Sequence, residues 1–242
     1  MKFSLEITMK TDLSVLPKVK DVYITMLPGN DFRDVANKAK ELVQNGFNPV
    51  PHFPARSIKN LNELKEYTSM CKDFGVKQVL VIGGSSDPIG DYHCSLQILE
   101  SGLFKGMKVG IAGHPDGSPD ISESDLEKAM KNKMPYADYI VTQWLLDYQS
   151  IASFISKQTL PVHVGITGPL KISSLLKFAS IVGAKNSLNF LKSNASKAVD
   201  LLKPRDPNEL IENLKTATDN FHIYTFGGLK ETNKWLTENK YA

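Results

Sequence analysis

The chain has 242 residues, of which 41% are hydrophobic and 23% are charged, and its formal net charge is +3. This composition is typical of a soluble globular protein with one sizeable core, and the scattered Lys and Arg residues argue against nucleic-acid binding. No apolar run approaches the about 18 residues that a membrane span needs, and Glu6 interrupts the region where a signal peptide needs apolar residues. Cys71 and Cys94 show no metal-ligand spacing and are predicted to be reduced packing residues in the cytoplasm.

Short runs rich in β-branched and aromatic residues alternate along the chain with amphipathic stretches. β-Branched runs favour strands, whereas apolar residues at helical spacing behind a capping residue such as Asp31 favour helices. The predicted strands cover residues 3–8, 21–26, 48–53, 77–82, 108–112, 139–142, 160–166 and 221–225. The predicted helices cover 60–74, 92–102 and 122–133, with others that begin at 31 and 147, two or three between 172 and 218, and a last one that ends near 239.

About eight strand–helix units follow one another without a linker. Such an alternation predicts a parallel sheet with right-handed crossovers. Eight units in roughly 250 residues predict one domain, residues 1–242, that forms a single (β/α)8 TIM barrel in the α/β class. The alternative, an open doubly wound sheet, would carry a glycine-rich fingerprint after its first strand. The segment Met9-Lys10-Thr11-Asp12 follows the first strand instead.

Polar side chains gather where the predicted strands end. The segment 137–147 shows the pattern best, because a buried strand is followed by Gln143 and Trp144 and then by a helix that Asp147 can cap. In a (β/α)8 barrel the carboxyl ends of the strands lie on one face, where the chemistry takes place. The polar residues expected on this face are Glu6, Thr25, His52, Ser85, Asp87, His114, Gln143, Thr167 and Thr225.

Glu6 is the most informative of these residues, because it lies in a strand between Leu5 and Ile7. Burial there would raise its pKa, as a general acid that works near neutral pH requires; the alternative is a strand-edge carboxylate that faces water. His163 and His222 lie inside strands and are interpreted as structural. The sequence has no paired metal-ligand spacing, no Gly-x-Ser-x-Gly elbow and no phosphate-binding loop, which predicts an organic cofactor or substrate-only chemistry and no metal site.

The strand ends carry several short motifs in a fixed order. The motifs are Pro51-His52-Phe53, Glu63-Leu64, Gly113-His114-Pro115, Val141-Thr142-Gln143-Trp144 and Phe221-His222-Ile223-Tyr224-Thr225. Over almost its whole length the chain resembles the methylenetetrahydrofolate reductase family in this order of motifs. The resemblance implies a barrel that uses FAD to pass a hydride from NAD(P)H to methylenetetrahydrofolate, giving methyltetrahydrofolate. The implied partner is a small-molecule folate, and a homo-oligomer is a further option.

The resemblance also implies roles for particular residues. Glu6 matches the glutamate that acts as general acid when the folate imidazolidine ring opens. Gln143 matches a glutamine that contacts the substrate, Phe178 an aromatic residue that packs over the ligand, and Thr225 a further substrate contact. The positions implied in cofactor binding are Thr25, His52, Gly84, Ser85, His114 and Lys133.

Two charged motifs of that family are missing here. Its Arg-Gly-Asp after the fourth strand is replaced by Gly83-Gly84-Ser85, and its Asn-Arg after the eighth strand is replaced by Gly227-Gly228. Each lost charged contact is worth about 1.5–3 kcal/mol, so FAD binding would be weaker. Two alternatives therefore stay open, a flavin-independent enzyme that binds tetrahydrofolate for methyl transfer and a non-catalytic folate-binding subunit.

Overall fold

The predicted strands are present and eight of them close into one parallel barrel. The structure is a computed structural model that describes residues 1–118, 121–182 and 204–241. Its strands are β1 (Lys2–Ile7), β2 (Asp21–Ile24), β3 (Asn48–Pro54), β4 (Gln78–Ile82), β5 (Lys108–Gly113), β6 (Tyr139–Trp144), β7 (Val162–Thr167), β8 (Leu170–Lys171), β9 (Pro204–Arg205) and β10 (Asn220–Tyr224). The barrel order is β1-β10-β7-β6-β5-β4-β3-β2, while β8 and β9 form a separate antiparallel pair. The predicted (β/α)8 barrel is thereby confirmed.

Helices alternate with the barrel strands. In the described residues they are α1 (Phe32–Gln44), α2 (Leu61–Asp73), α3 (Ser95–Leu99), α4 (Glu123–Lys133), α5 (Tyr148–Ser156), α6 (Ile172–Val182), α7 (Asn208–Leu214) and α8 (Leu229–Glu238). The helix predicted over 92–102 is shorter than expected. Oε1 of Gln97 accepts hydrogen bonds from the amides of His93 (2.6 Å) and Cys94 (3.1 Å), which fixes the start of α3 at Ser95. The helices predicted between 172 and 218 lie partly outside the described residues.

β3 forms a regular ladder although it contains Pro49 and Pro51. The amide of Asn48 donates to the carbonyl of Lys20, on the β2 side. Successive amides point to opposite neighbours, so both prolines face β4, whose pairing with β3 begins only at His52. The prolines therefore remove no ladder hydrogen bond.

The barrel separates two layers of packed side chains. Residues of one strand face contact the helices in a large outer core that includes Leu5, Ile7 and Val22. The other face fills the barrel interior with Tyr23, Val50, Leu80, Tyr139 and Val141. This alternation follows from the two-residue period of a strand, and it places Glu6 on the interior face of β1, beside the outward-facing Leu5 and Ile7.

No helix in the described parts of the chain is long and apolar enough to cross a membrane. Cys71 is buried and Cys94 is exposed, and both are free thiols.

Candidate active site

Glu6 is the centre of the candidate site, near the carboxyl end of β1. Its side chain is 17% exposed. Thr25, directly after β2, donates a hydrogen bond from Oγ1 to Oε1 of Glu6 at 2.8 Å. Nε2 of His52 on β3 and Nε2 of His222 on β10 both lie 3.4 Å from Oε2. Side chains from three other parts of the barrel thus converge on one carboxylate.

His222 holds one side of this carboxylate and is fully buried. Its Nδ1 is 3.0 Å from Oγ of Ser4. The rings of Tyr23 and Tyr224 lie against it, with centroids 4.3 and 4.8 Å from its own. Because Ser4 and Glu6 are two residues apart on one strand, they face the same way, and one imidazole contacts both.

The pKa of Glu6 is lowered in this setting. Burial by itself raises it, but the two histidines and the threonine hydroxyl favour the ionised form more strongly. The predicted rise in pKa was therefore wrong, because the apolar sequence neighbours of Glu6 point into the outer core. Glu6 is ionised at neutral pH, which suits a general base rather than a general acid. Its place in catalysis stays a prediction.

His52 is buried, and neither of its ring nitrogens makes a hydrogen bond with the described residues. Burial lowers its pKa, and the charge of Glu6 offsets this only in part. His52 is therefore neutral at neutral pH. Buried polar atoms are normally hydrogen-bonded, so an imidazole without partners beside an ionised carboxylate is available to a ligand.

The end of β6 carries two further unpartnered groups. The register of β6 against β7 shifts between Val141 and Trp144, a bulge of the kind that redirects side chains beside active sites. Nε2 of Gln143 and Nε1 of Trp144 are buried, and in the described parts of the chain neither has an acceptor. Each buried donor left unpaired costs about 1–3 kcal/mol, a cost that a ligand with acceptor oxygens would remove. Gln143 stays a predicted substrate contact.

Lys133 brings a buried positive charge to the strand ends. It is 9% exposed, and its Nζ lies 3.5 Å from the carbonyl oxygen of Ala112 on β5. Burial lowers its pKa. Burial and the Lys133 charge together lower the pKa of His114 to about 4, so His114 is neutral. None of the described carboxylates forms an ion pair with Lys133, and an anionic ligand would supply the missing counter-charge.

The remaining predicted residues have different surroundings. Thr225 donates from Oγ1 to the backbone oxygen of Glu6 at 3.0 Å, which anchors β1. Gly84 has φ +93, and a Cβ there would lie 3.4 Å from that of Pro54. Ser85 is exposed. The side chain of Phe178, on α6, lies outside the described residues.

The structure thus brings Thr25, His52 and Thr225 to Glu6, whereas the sequence had predicted only that they share one face of the barrel. It also brings in His222, which sequence reasoning had interpreted as structural. The alternation of Asn220, His222 and Tyr224 along one strand face was the available signal, since it places His222 inside a barrel.

Two cavities are found among the described residues. One, of about 390 Å³, is lined by Met26, Asn30, Ser57, Lys59 and Ser86, in the loops that follow β2, β3 and β4. The other, of about 310 Å³, lies between the start of α5 and α7. Glu6 lines neither cavity. We place the site at Glu6, because unpartnered polar groups at strand ends indicate chemistry more directly than the volume of a peripheral groove.

No family model matches the chain. Many solved structures are similar to it, and three of them serve as examples. Oxaloacetate acetylhydrolase in complex with the inhibitor 3,3-difluorooxalacetate is 9% identical, with a TM-score of 0.59 and coverage of 100% of this chain and 80% of that one. The PEP mutase/isocitrate lyase superfamily member 2,3-dimethylmalate lyase is 8% identical, with a TM-score of 0.59 and coverage of 99% and 82%. A putative phosphonomutase from Burkholderia cenocepacia J2315 is 8% identical, with a TM-score of 0.55 and coverage of 99% and 93%. At these identities the likeness shows the fold alone.

These findings overturn the resemblance to methylenetetrahydrofolate reductase. No model of that or any other family matches, and the similar structures carry lyase, hydrolase and mutase names. The folate oxidoreductase activity, the FAD and NAD(P)H cofactors and both folate-binding alternatives were therefore wrong. Without a flavin, the cofactor-binding roles implied by the resemblance no longer apply. These roles had been assigned to Thr25, His52, Gly84, Ser85, His114 and Lys133. The motifs misled because each spans only two to five residues at strand ends, where any (β/α)8 barrel collects polar side chains.

Proposed function

We propose that this chain is an enzyme that breaks or rearranges a bond in a small organic acid, with the carboxylate of Glu6 as general base. The observation that carries the proposal is the Glu6 carboxylate, held ionised at the carboxyl end of the barrel by Thr25, His52 and His222. An ionised, partly exposed carboxylate in this position can accept a proton from a substrate hydroxyl or from an acidic C–H bond.

The reaction is simplest for a 2-hydroxy acid. Glu6 accepts the hydroxyl proton, and the electron pair left on oxygen forms the carbonyl of one product. The adjacent carbon–carbon bond breaks, and its electron pair stays on the departing carbon, which a neighbouring carboxylate stabilises as an enolate. The proton held by Glu6, or passed on to the adjacent His52, then returns to that carbon. The protein ends in its starting state.

Recognition of an acid is supported by the unpaired donors near the strand ends. Lys133 supplies a buried positive charge, and Gln143 and Trp144 supply two buried N–H groups that have no acceptors among the described residues. These groups suit carboxylate, carbonyl or phosphonate oxygens. The names of the similar structures point the same way, since they include oxaloacetate, 2,3-dimethylmalate and a phosphonomutase.

Two further features concern a possible metal ion and the cellular compartment of the enzyme. In the described parts of the chain, no three His, Cys, Asp or Glu side chains form a group that could hold a metal ion. The prediction that the protein binds no metal remains untested by this. The free thiols of Cys71 and Cys94 support the proposal that the enzyme works in the reducing cytoplasm.

The test is to incubate the purified protein in D2O with oxaloacetate, malate, alkylmalates and a phosphonopyruvate, each with and without added Mg²⁺. Proton NMR then reports both bond cleavage and deuterium exchange next to the carbonyl. We expect turnover of at least one acid, and a loss of about 10²- to 10⁴-fold in Glu6→Gln. Glu127→Gln, at an exposed site on α4, is the matched control. Absence of exchange and cleavage with every acid, or equal rates in Glu6→Gln and wild type, would overturn the proposal.

A further inference from the structure

Ser4 and His222 form a buried pair directly behind Glu6. The register of β1 against β10 sets Ser4 opposite His222 and Glu6 opposite Tyr224. The imidazole of His222 lies along β1, with Nδ1 3.0 Å from Oγ of Ser4 and Nε2 3.4 Å from Oε2 of Glu6. The ring is fully buried between Tyr23 and Tyr224, so it is out of reach of a substrate in the barrel mouth.

The Glu6 carboxylate fixes the direction of one of the two hydrogen bonds of His222. An ionised carboxylate only accepts, so the nitrogen that faces Glu6 must carry a proton. In the neutral imidazole the other nitrogen, Nδ1, is then an acceptor, and Ser4 donates its hydroxyl proton to it. The Ser4 hydroxyl thus matches the tautomer of His222 that presents Nε2–H to Glu6, as the outer partner of a metal-bound or catalytic histidine commonly does.

We propose that Ser4 and His222 are positioning residues for the general base, and that the hydrogen-bonded series Ser4–His222–Glu6 keeps the Glu6 carboxylate ionised and oriented towards the barrel mouth. This inference rests on the proposed function, because that function makes Glu6 the general base. The titration of Glu6 that tests it can be measured without any substrate. The other oxygen of Glu6, Oε1, accepts from Thr25, while His52 lies beside Oε2, and neither of these contacts reaches Ser4.

Other titratable groups near Glu6 do not replace this arrangement. His52 on β3 faces the same oxygen, Oε2, but without hydrogen-bond geometry, and Tyr224 on β10 donates its hydroxyl to the backbone oxygen of Thr142. Tyr23 on β2 donates its hydroxyl to Tyr139. Among the described side chains, His222 is the imidazole that forms a hydrogen bond to the carboxylate.

The first experiment needs no substrate. Protein labelled with 13C at the glutamate side-chain carboxyl is titrated by NMR, and Glu6→Gln identifies the Glu6 resonance. We expect Ser4→Ala to move the Glu6 midpoint to higher pH, His222→Phe to move it further, and Ser4→Thr, which keeps the hydroxyl, to restore the wild-type value. Ser101→Ala removes a hydroxyl that donates to the carbonyl of Ile98, and it should leave the midpoint unchanged.

The second experiment uses whichever acid the enzyme turns over. In Ser4→Ala the acidic limb of kcat should move to higher pH together with the NMR midpoint, while KM changes by less than about twofold, because neither positioning residue contacts the substrate. An unchanged Glu6 midpoint in Ser4→Ala overturns the inference even if His222→Phe fails to fold. A shifted midpoint in a protein that turns over none of the acids supports the inference and refutes the proposed function instead.

Discussion

Tyr224 on β10 reaches across β7 and donates a hydrogen bond from its hydroxyl to the backbone oxygen of Thr142 on β6, at 2.9 Å. The strand that it crosses carries Gly165 at this level, and the amide of Gly165 donates to Oγ1 of Thr142 at 2.8 Å. Two strands that are not neighbours are therefore tied together over a position without a side chain. This tie holds the bulge that presents Gln143.

We expect Gly165→Ala to disrupt that tie. A Cβ at this position would lie 2.5 Å from the oxygen of Thr142 and 2.8 Å from Cε2 of Tyr224, closer than real Cβ contacts allow. Overpacking of this kind costs about 1–3 kcal/mol in the free energy of unfolding, to be measured by urea denaturation. Gly83→Ala, where a Cβ would meet no atom within 4 Å, is the control. Equal stability of the two variants would contradict the prediction.

Stability should fall as the pH is lowered from about 7 towards 4. Burial lowers the pKa of both His114 and His163 to about 4, and it also lowers that of His52. In the unfolded chain these side chains take up protons near pH 6.5. Between these two pKa values the unfolded state binds more protons than the folded state. The free energy of unfolding is therefore highest above about pH 6.5 and falls as the pH approaches the folded-state pKa of these histidines.

The measurement is the free energy of unfolding in urea at several pH values between 7.5 and 4.5. His163→Gln should show a shallower decline than wild type, because it removes one of the imidazoles whose pKa is lowered in the folded state. His93→Gln, at an exposed position, should keep the wild-type slope. A wild-type free energy that stays constant over this range would refute the expectation.

A substitution of Thr225 can decide whether its hydroxyl binds substrate or has a structural role. The sequence predicted that it binds substrate, whereas its hydroxyl donates to the backbone oxygen of Glu6 at 3.0 Å. If anchoring β1 is its role, Thr225→Val should lower the free energy of unfolding by about 0.5–1.5 kcal/mol and leave KM for the acid unchanged. Thr237→Val, which removes an exposed helical hydroxyl, is the matched control. A raised KM at unchanged stability would restore the substrate role.

The fold could be predicted from sequence because it depends on local patterns. Runs such as Tyr139–Trp144 have strand-forming residues, and the helices between them have capping residues and helical spacing. The surroundings of Glu6 depend instead on which strands are neighbours. His52 and His222 are 46 and 216 positions away from Glu6, and only barrel closure between β1 and β10 brings His222 to its carboxylate. The direction of the pKa shift of Glu6 could not be predicted from its neighbours Leu5 and Ile7, because their side chains point into the outer core.

Replacing Lys133 should make the protein more stable and its binding of an acid weaker. It is buried without a carboxylate partner in the described part of the chain, and desolvation lowers its pKa. Replacing it by Met keeps a long, flexible side chain of similar size and removes the buried charge. We expect Lys133→Met to raise the free energy of unfolding by about 0.5–2 kcal/mol, as substitutions at strained functional sites often do. The same variant should bind oxalate, measured by calorimetry, at least about tenfold more weakly, which corresponds to about 1.4 kcal/mol. Lys131→Met, exposed on the same helix, should change neither quantity. A less stable Lys133→Met with unaltered oxalate binding would assign Lys133 a structural role and remove it from the recognition of the acid.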